Sequence, residues 1–130
     1  MSSEKPVSAI LVEDEEIIRQ MLKQALVVLG CDVLGEANNG IAAAELFNET
    51  KPDLVLMDIR MPRSDGIEAL SKIKEIEPDA YVVMMTSIND EEIIEDCIIA
   101  GAKDYIRKDV PIDQVVSRLE RHIRRVSEKA

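Results

Sequence analysis

The chain has 130 residues, 46% of them hydrophobic and 32% charged, as expected of one globular domain with a single core and too short for a second. Its net charge of −10 argues against a nucleic-acid backbone as partner, and no apolar stretch approaches membrane-spanning length. The one histidine, His122, and the two cysteines, Cys31 and Cys97, which lack Cys-x-x-Cys spacing, leave histidine triads and zinc sites without parts. The thiols read as reduced and buried, and His122 as one more residue of a charged helix. Residues 1–6 are polar and lack the apolar core of a signal peptide, so the cytoplasm is the expected location.

In chain order, Ala9-Ile10-Leu11-Val12 is a short continuous apolar run that ends on Glu13-Asp14. Such runs read as strands of a parallel sheet covered on both faces. Ile18, Leu22, Ala25, Leu26 and Leu29 then recur at helical spacing, and Gly30 stops the helix. Val33-Leu34 reads as a half-polar edge strand. Ile41, Ala44, Glu45 and Phe47 form a second helix closed before Pro52. Leu54-Val55-Leu56-Met57 is a second core strand, ending on Asp58, and a loop follows from Arg60 through Ser64. Asp65-Gly66-Ile67-Glu68 opens a third helix, with Glu68 placed as the capping-box acid for Asp65.

Residues 81–86 (Tyr-Val-Val-Met-Met-Thr) form the fourth strand. Asn89 and Glu92 form a second capping box, with Ile93, Ile94, Cys97 and Ile98 striping the helix behind it. Tyr105-Ile106 is a fifth strand ending near Lys108, and Pro111 sits in the first turn of the last helix, where its missing amide hydrogen costs nothing. Ile112, Val116, Leu119, Ile123 and Val126 predict that helix's core face. Arg118, Arg121, Arg124, Arg125 and Lys129 make it locally basic: a solvated face, or secondarily a partner-docking surface. Five strand–helix units predict an α/β fold, a doubly wound five-stranded parallel sheet of (βα)5 type.

The strand ends carry the chemistry. In such a sheet ligands gather beyond the carboxyl ends of the strands, so Glu13, Asp14 and Asp58 converge in one small volume. Like charges that close raise each other's pKa unless a cation sits among them, and an all-oxygen anionic donor set suits magnesium before zinc. Taken singly, Asp14 reads equally as a helix N-cap, Thr86 as a satisfied strand residue and Lys108 as a surface lysine. Asp58 is harder to dismiss, because no helix begins after it. Acid pair, acid, hydroxyl and lysine in order at successive core strand ends point to a site. Asp58 is placed as a nucleophile able to hold a phosphoryl group as an acyl phosphate, with Lys108 and a metal neutralising charge and the Thr86 hydroxyl donating to a phosphoryl oxygen.

These residues carry a family likeness. Ile10-Leu11-Val12-Glu13-Asp14-Glu15, Val55-Leu56-Met57-Asp58-Ile59-Arg60-Met61-Pro62, Asp65-Gly66, Met85-Thr86-Ser87, Ala100-Gly101-Ala102 and Tyr105-Ile106-Arg107-Lys108 resemble the CheY-like receiver domains of two-component response regulators, whose fold is flavodoxin-like. The likeness runs from about residue 7 into the last helix. It implies that Asp58 is the phosphoacceptor and that Mg2+, with Mn2+ able to substitute, is held by Glu13, Asp14, Asp58 and the backbone carbonyl of Arg60. It implies that Thr86 and Tyr105 are the switch pair, and that Arg60 and Ile88 flank the path of the water that hydrolyses the acyl phosphate. Because neither orients that water well, a long-lived phosphorylated state is expected. A sensor histidine kinase is then the phosphodonor, and a downstream protein docks on the face made by residues 89–100, 104–107 and the last helix.

Two positions depart from the family pattern. Glu13 replaces the more usual aspartate, and its extra methylene favours water-mediated metal contact. Asp109 follows Lys108 where proline is common, as in receivers joined to helix-turn-helix outputs. Residues 1–130 are expected to be a single receiver domain with no output domain, a stand-alone regulator or a receiver from a longer protein. It is expected to be a signalling module rather than an enzyme, without direct nucleic-acid or membrane partners, and monomeric, with dimerisation on phosphorylation as the alternative. An aspartyl-nucleophile phosphatase would need an acid where Arg60 stands. A flavin carrier would need a hydroxyl- and glycine-rich loop where Glu13-Asp14-Glu15-Glu16 would repel phosphate.

Overall fold

Strands and helices alternate in a computed structural model that describes residues 5–61, 64–87 and 91–129. They run β1 (Ser8–Val12), α1 (Glu16–Val28), β2 (Asp32–Ala37), α2 (Gly40–Thr50), β3 (Leu54–Asp58), α3 (Gly66–Ile76), β4 (Val82–Thr86), α4 (Glu91–Ile99), β5 (Asp104–Arg107) and α5 (Ile112–Lys129). The five strands are parallel, in the order β2-β1-β3-β4-β5. This is the α/β, flavodoxin-like arrangement expected. Strand order reverses direction at β1/β3, and the crevice beyond the carboxyl ends of those two strands is where such sheets place ligands. Among the described residues, no helix is long and apolar enough to cross a membrane.

The apolar runs form strands because both faces of the sheet are covered. Ile10, Val12, Val55, Met57, Val82 and Met84 pack with Phe47 of α2, Leu70 and Ile73 of α3, and Cys97 of α4. Ala9, Leu11, Leu54, Leu56, Val83 and Met85 pack with Leu22 and Leu26 of α1, and with Val115 and Leu119 of α5. Successive strand residues point to opposite layers, so an unbroken hydrophobic run is what each central strand requires. The stripe on α1 lies where its spacing predicts, and Gly30, at φ +90, ends that helix in a conformation costly for any residue with a Cβ.

Several elements differ in detail from the sequence reading. Tyr81 precedes β4 rather than opening it, and β2 is longer than Val33-Leu34. The segment after Asp58 is not an open loop: Arg60–Met61 pairs antiparallel with Ser64–Asp65. On α2 the buried face is Gly40, Ala43 and Phe47, while Ile41 is 61% exposed. Ile98 of α4 is likewise exposed. Pro111 precedes α5, its carbonyl accepting from the Gln114 amide at 2.9 Å. Pro62, Ile88 and Asn89 lie outside the described residues, and of Asp65 only the backbone is described, so neither capping box is addressed.

The largest correction concerns α5. Leu119 and Val126 are buried as expected and Ile123 packs against the core, but Val115 and His122 complete the buried face and Ile112 is 48% exposed at the start of the helix. The histidine on this face hides part of the pattern, because a polar residue does not read as core. His122 is satisfied in place, Nδ1 lying 2.7 Å from the Tyr81 hydroxyl and Nε2 2.8 Å from Asp104 Oδ2. Burial raises the Asp104 carboxyl pKa, but hydrogen bonds from Arg118 and His122 outweigh it and hold the group below the ordinary carboxylate range. An ionised carboxylate only accepts, so Nε2 of His122 is the donor, and in the neutral ring Nδ1 accepts from Tyr81.

The expected stripe and the observed face share Leu119 and differ at Ile112, and mutation tests that difference. Leu119→Ala opens a cavity in a fully buried site and should cost about 2–5 kcal/mol. Ile112→Ala should cost less than about 1 kcal/mol. Urea unfolding of both variants checks this, and similar losses would restore the original stripe.

Candidate functional site

Glu13 follows β1 directly and is fully buried, its amide donating to the Ala37 carbonyl of β2 at 3.0 Å. Asp14 is half-buried beside it. The residue in the N-cap position of α1 is Glu15, which makes no side-chain cap, so the N-cap reading of Asp14 falls away. Asp58 is the last residue of β3 and 5% exposed. The turn after it is pressed by the start of α3, where the Gly66 amide donates to the Ile59 carbonyl at 2.8 Å. A Cβ on Gly66 would lie 2.4 Å from the Asp58 carbonyl oxygen, so only glycine permits this close approach.

Lys108 closes the site from β5. Its amide donates to the Thr86 carbonyl at 2.8 Å, tying the lysine to the end of β4. Its ammonium donates to Glu13 Oε1 at 2.8 Å and to Asp58 Oδ2 at 2.9 Å. The second oxygen of Glu13 accepts from the Glu15 amide at 3.0 Å, and Asp58 Oδ1 accepts a longer 3.3 Å bond from the Arg60 amide. Carboxylate oxygens of Glu13, Asp14 and Asp58 all lie within 4.8 Å of one another. The structure thus brings four of the sequence-predicted residues into one cluster. Thr86 is buried at the end of the adjacent strand, and Tyr105 is half-buried on β5 against the layer that holds α4. Arg60 approaches Asp58 through its backbone while its side chain is exposed, and Ile88 lies outside the described residues.

Electrostatics follow from burial. Desolvation pushes the Asp58 carboxyl above its ordinary pKa despite the hydrogen bond from Lys108. Glu13 is raised by desolvation in the same way, and the Asp58 charge adds to it. Burial lowers Lys108, but its bonds to Glu13 and Asp58 outweigh that and hold it above the usual lysine range. Three carboxylates share one ammonium here, so with all four ionised the cluster carries an uncompensated charge of about −2. Clustered hard oxygen donors with that charge fit a divalent cation of the magnesium type.

Two features escaped the sequence reading. Arg19 of α1 donates to the Glu13 carbonyl at 2.9 Å and to Glu36 of β2 at 3.0 Å. Only the pairing of β1 with β2 brings that acid within reach. Asp109, in the place where proline is common, takes the guanidinium of Arg107 through both carboxylate oxygens, one of them 2.9 Å from Nε. A side-chain fork across Lys108 thus braces the loop after β5.

Residues 9–120 match the family model of the response regulator receiver domain. The chain is 41% identical over 112 residues to the chemotaxis protein CheY of Bacillus subtilis (strain 168), covering 86% of this chain and 93% of that one. Among solved structures, it is similar to the response regulator domain of Thermotoga maritima CheB, with a TM-score of 0.86, 32% identity and coverage of 95% and 98% of the two chains. It is also similar to a chain of the CheX-CheY-BeF3-Mg2+ complex from Borrelia burgdorferi, with a TM-score of 0.83, 31% identity and coverage of 88% and 87%.

The charge balance makes a signed prediction about stability. Folded pKa values of Glu13 and Asp58 lie above their unfolded values, so between the two the folded chain binds protons more tightly. Their contribution to stability is therefore fully present in acid and is lost as pH rises through the folded pKa. Asp58→Asn removes a desolvated charge, and with it some repulsion from Asp14, and should stabilise the metal-free protein at pH 7 by on the order of 1 kcal/mol. The advantage should shrink toward pH 4. Urea titrations in the presence of a chelator measure both, and destabilisation by the asparagine at pH 7 would contradict the charge argument.

Proposed function

The chain belongs to the response regulator receiver domain family, and on that premise we propose that it accepts a phosphoryl group from a sensor histidine kinase onto Asp58. The observation that carries this reading is the convergence of Glu13, Asp14, Asp58 and Lys108 at the carboxyl edge of the sheet. In the proposed reaction an oxygen of Asp58 forms the new bond to phosphorus. The phosphorus–nitrogen bond of the donor phosphohistidine breaks, and its electron pair stays on the imidazole nitrogen. Lys108, already hydrogen-bonded to Asp58, offsets charge on the phosphoryl oxygens.

Asp14 and Asp58, with the Arg60 backbone carbonyl, would hold Mg2+ directly, and Mn2+ could take its place. Both oxygens of Glu13 are engaged, by Lys108 and by the Glu15 amide, which favours contact through water for that acid. When bound, the ion supplies positive charge to the transferring phosphoryl group. The magnesium and beryllofluoride named in the CheY complex of Borrelia burgdorferi support magnesium as the ion.

The Thr86 hydroxyl would then donate to a phosphoryl oxygen, and Tyr105 would follow it inward. That reshapes the α4–β5–α5 face, where Ile98 and Ile99 are 46% and 76% exposed and suit a downstream protein target. The net charge of −10 disfavours nucleic acid as that target. Residues 1–130 act as one signalling domain in the cytoplasm, catalysing only their own phosphorylation and dephosphorylation, as a monomer or as a dimer formed on phosphorylation. Arg60 and Ile88, neither suited to orient the attacking water, would together make the acyl phosphate long-lived.

Incubation with acetyl phosphate should add one phosphoryl group to the wild type only when magnesium or manganese is present, and none to Asp58→Asn. Intact-mass spectrometry reads this, and equal gain in the variant would remove Asp58 from its role. With beryllofluoride, backbone NMR shifts should extend from Asp58 across α4, β5 and α5. Shifts confined to the Asp58 pocket would leave the domain without the proposed switch.

A further inference from the structure

The chain must leave β1 and immediately present Asp14, so the orientation of the peptide joining Glu13 to Asp14 decides where the Asp14 carboxylate points. That peptide is held on its carbonyl side, where Arg19 Nη1 donates to the Glu13 carbonyl at 2.9 Å. The preceding peptide is held by β2, through the Glu13 amide and the Ala37 carbonyl at 3.0 Å. Arg19 is itself fastened: its Nε donates to Glu36 Oε1 at 3.0 Å, and the other oxygen of Glu36 takes the Lys23 ammonium at 2.9 Å. The Arg19 and Glu36 side chains are only 18% and 25% exposed, so this pair is not a freely solvated one. A planar guanidinium holds its donors in a fixed fork and so fixes the directions of the carboxylate and the carbonyl together, which the freely rotating donors of an ammonium on a flexible stem do not.

The geometry points to Arg19 as a positioning residue for the metal-binding end of the site: by clamping the Glu13–Asp14 peptide against α1 and β2, it sets the direction of the Asp14 carboxylate. This rests on the magnesium reading given above. Arg19 bonds to a backbone carbonyl and to Glu36, and its hydrogen bonds include none to Glu13, Asp14 or Asp58 carboxylates. It acts through Asp14. Groups that orient metal ligands without touching the metal typically influence affinity about 10- to 100-fold.

A rival account gives the opposite sign. If Arg19 were only a positive charge near an acidic pocket, its removal would relieve repulsion and tighten magnesium binding. If it positions Asp14, its removal weakens binding. Magnesium chloride titrated calorimetrically into metal-free wild type, Arg19→Ala, Arg19→Lys and the Arg19→Ala/Glu36→Gln double variant separates the two, with thermal unfolding run on each. Arg19→Ala should bind magnesium about 10-fold more weakly while still folded, and Arg19→Lys should fall between it and wild type. The double variant, with the local charge balanced again, should stay as weak as Arg19→Ala. Affinity equal to or tighter than wild type in folded Arg19→Ala overturns the assignment. So does wild-type affinity in Arg19→Lys, which decides the matter if the alanine variant does not fold. Absence of magnesium binding by the wild type would remove the underlying functional reading and this inference with it, whereas binding by wild type with an unchanged Arg19→Ala removes the inference alone.

Discussion

The Lys108 ammonium, 2.8 Å from Glu13 and 2.9 Å from Asp58, is the contact on which the site depends. It crosses from the loop after β5 to the ends of β1 and β3, spanning the middle of the sheet. Without it, buried carboxylates would face one another with no internal counter-charge, and burial would protonate them rather than keep them ready for chemistry. With it, the pocket is still short of positive charge. That residual deficit is the physical reason the pocket is suited to a divalent cation and, with that cation, to a phosphoryl group.

Several parts of the fold serve to hold these charges in place. Gly66 lets α3 press on the backbone of Asp58, and Lys108 is tied by its own amide to the Thr86 carbonyl of β4. Arg19 and Glu36 brace the turn after β1, and Arg107 and Asp109 brace the turn after β5. Each brace lies at the carboxyl edge of the sheet, where side chains leave the protection of the two apolar layers and backbone groups lose strand partners. At Glu13 and Lys108, hydrogen bonds from neighbouring elements replace those partners.

The middle of α5 shows the same economy of buried polar groups. His122, Asp104, Arg118 and Tyr81 satisfy one another beneath the helix, and Arg118 also donates to the backbone carbonyl of Tyr105 at 3.0 Å. The proposed switch residue thus sits one position along the strand from a charged network that fastens α5. In the proposed switch, a helix held at that point would give Tyr105 a fixed partner against which to move.

Much of this was readable from the amino-acid order. Continuous apolar runs ending on Glu13-Asp14 and Asp58 determined the parallel sheet, its two covered faces and the meeting of the carboxylates, because a period-two strand buried on both sides leaves no other place for charge than its end. The α1 stripe was equally plain. On α5 the sequence placed Leu119, Ile123 and Val126 correctly but not His122, because a histidine satisfied by residues 18 and 41 positions away reads as polar until those partners are known. Nor could it single out Arg19 among many surface arginines, since Glu36 meets it only when β2 pairs with β1. Patterns of hydrophobicity determine which segments are buried; the partners of buried charge are decided only when distant strands are brought side by side.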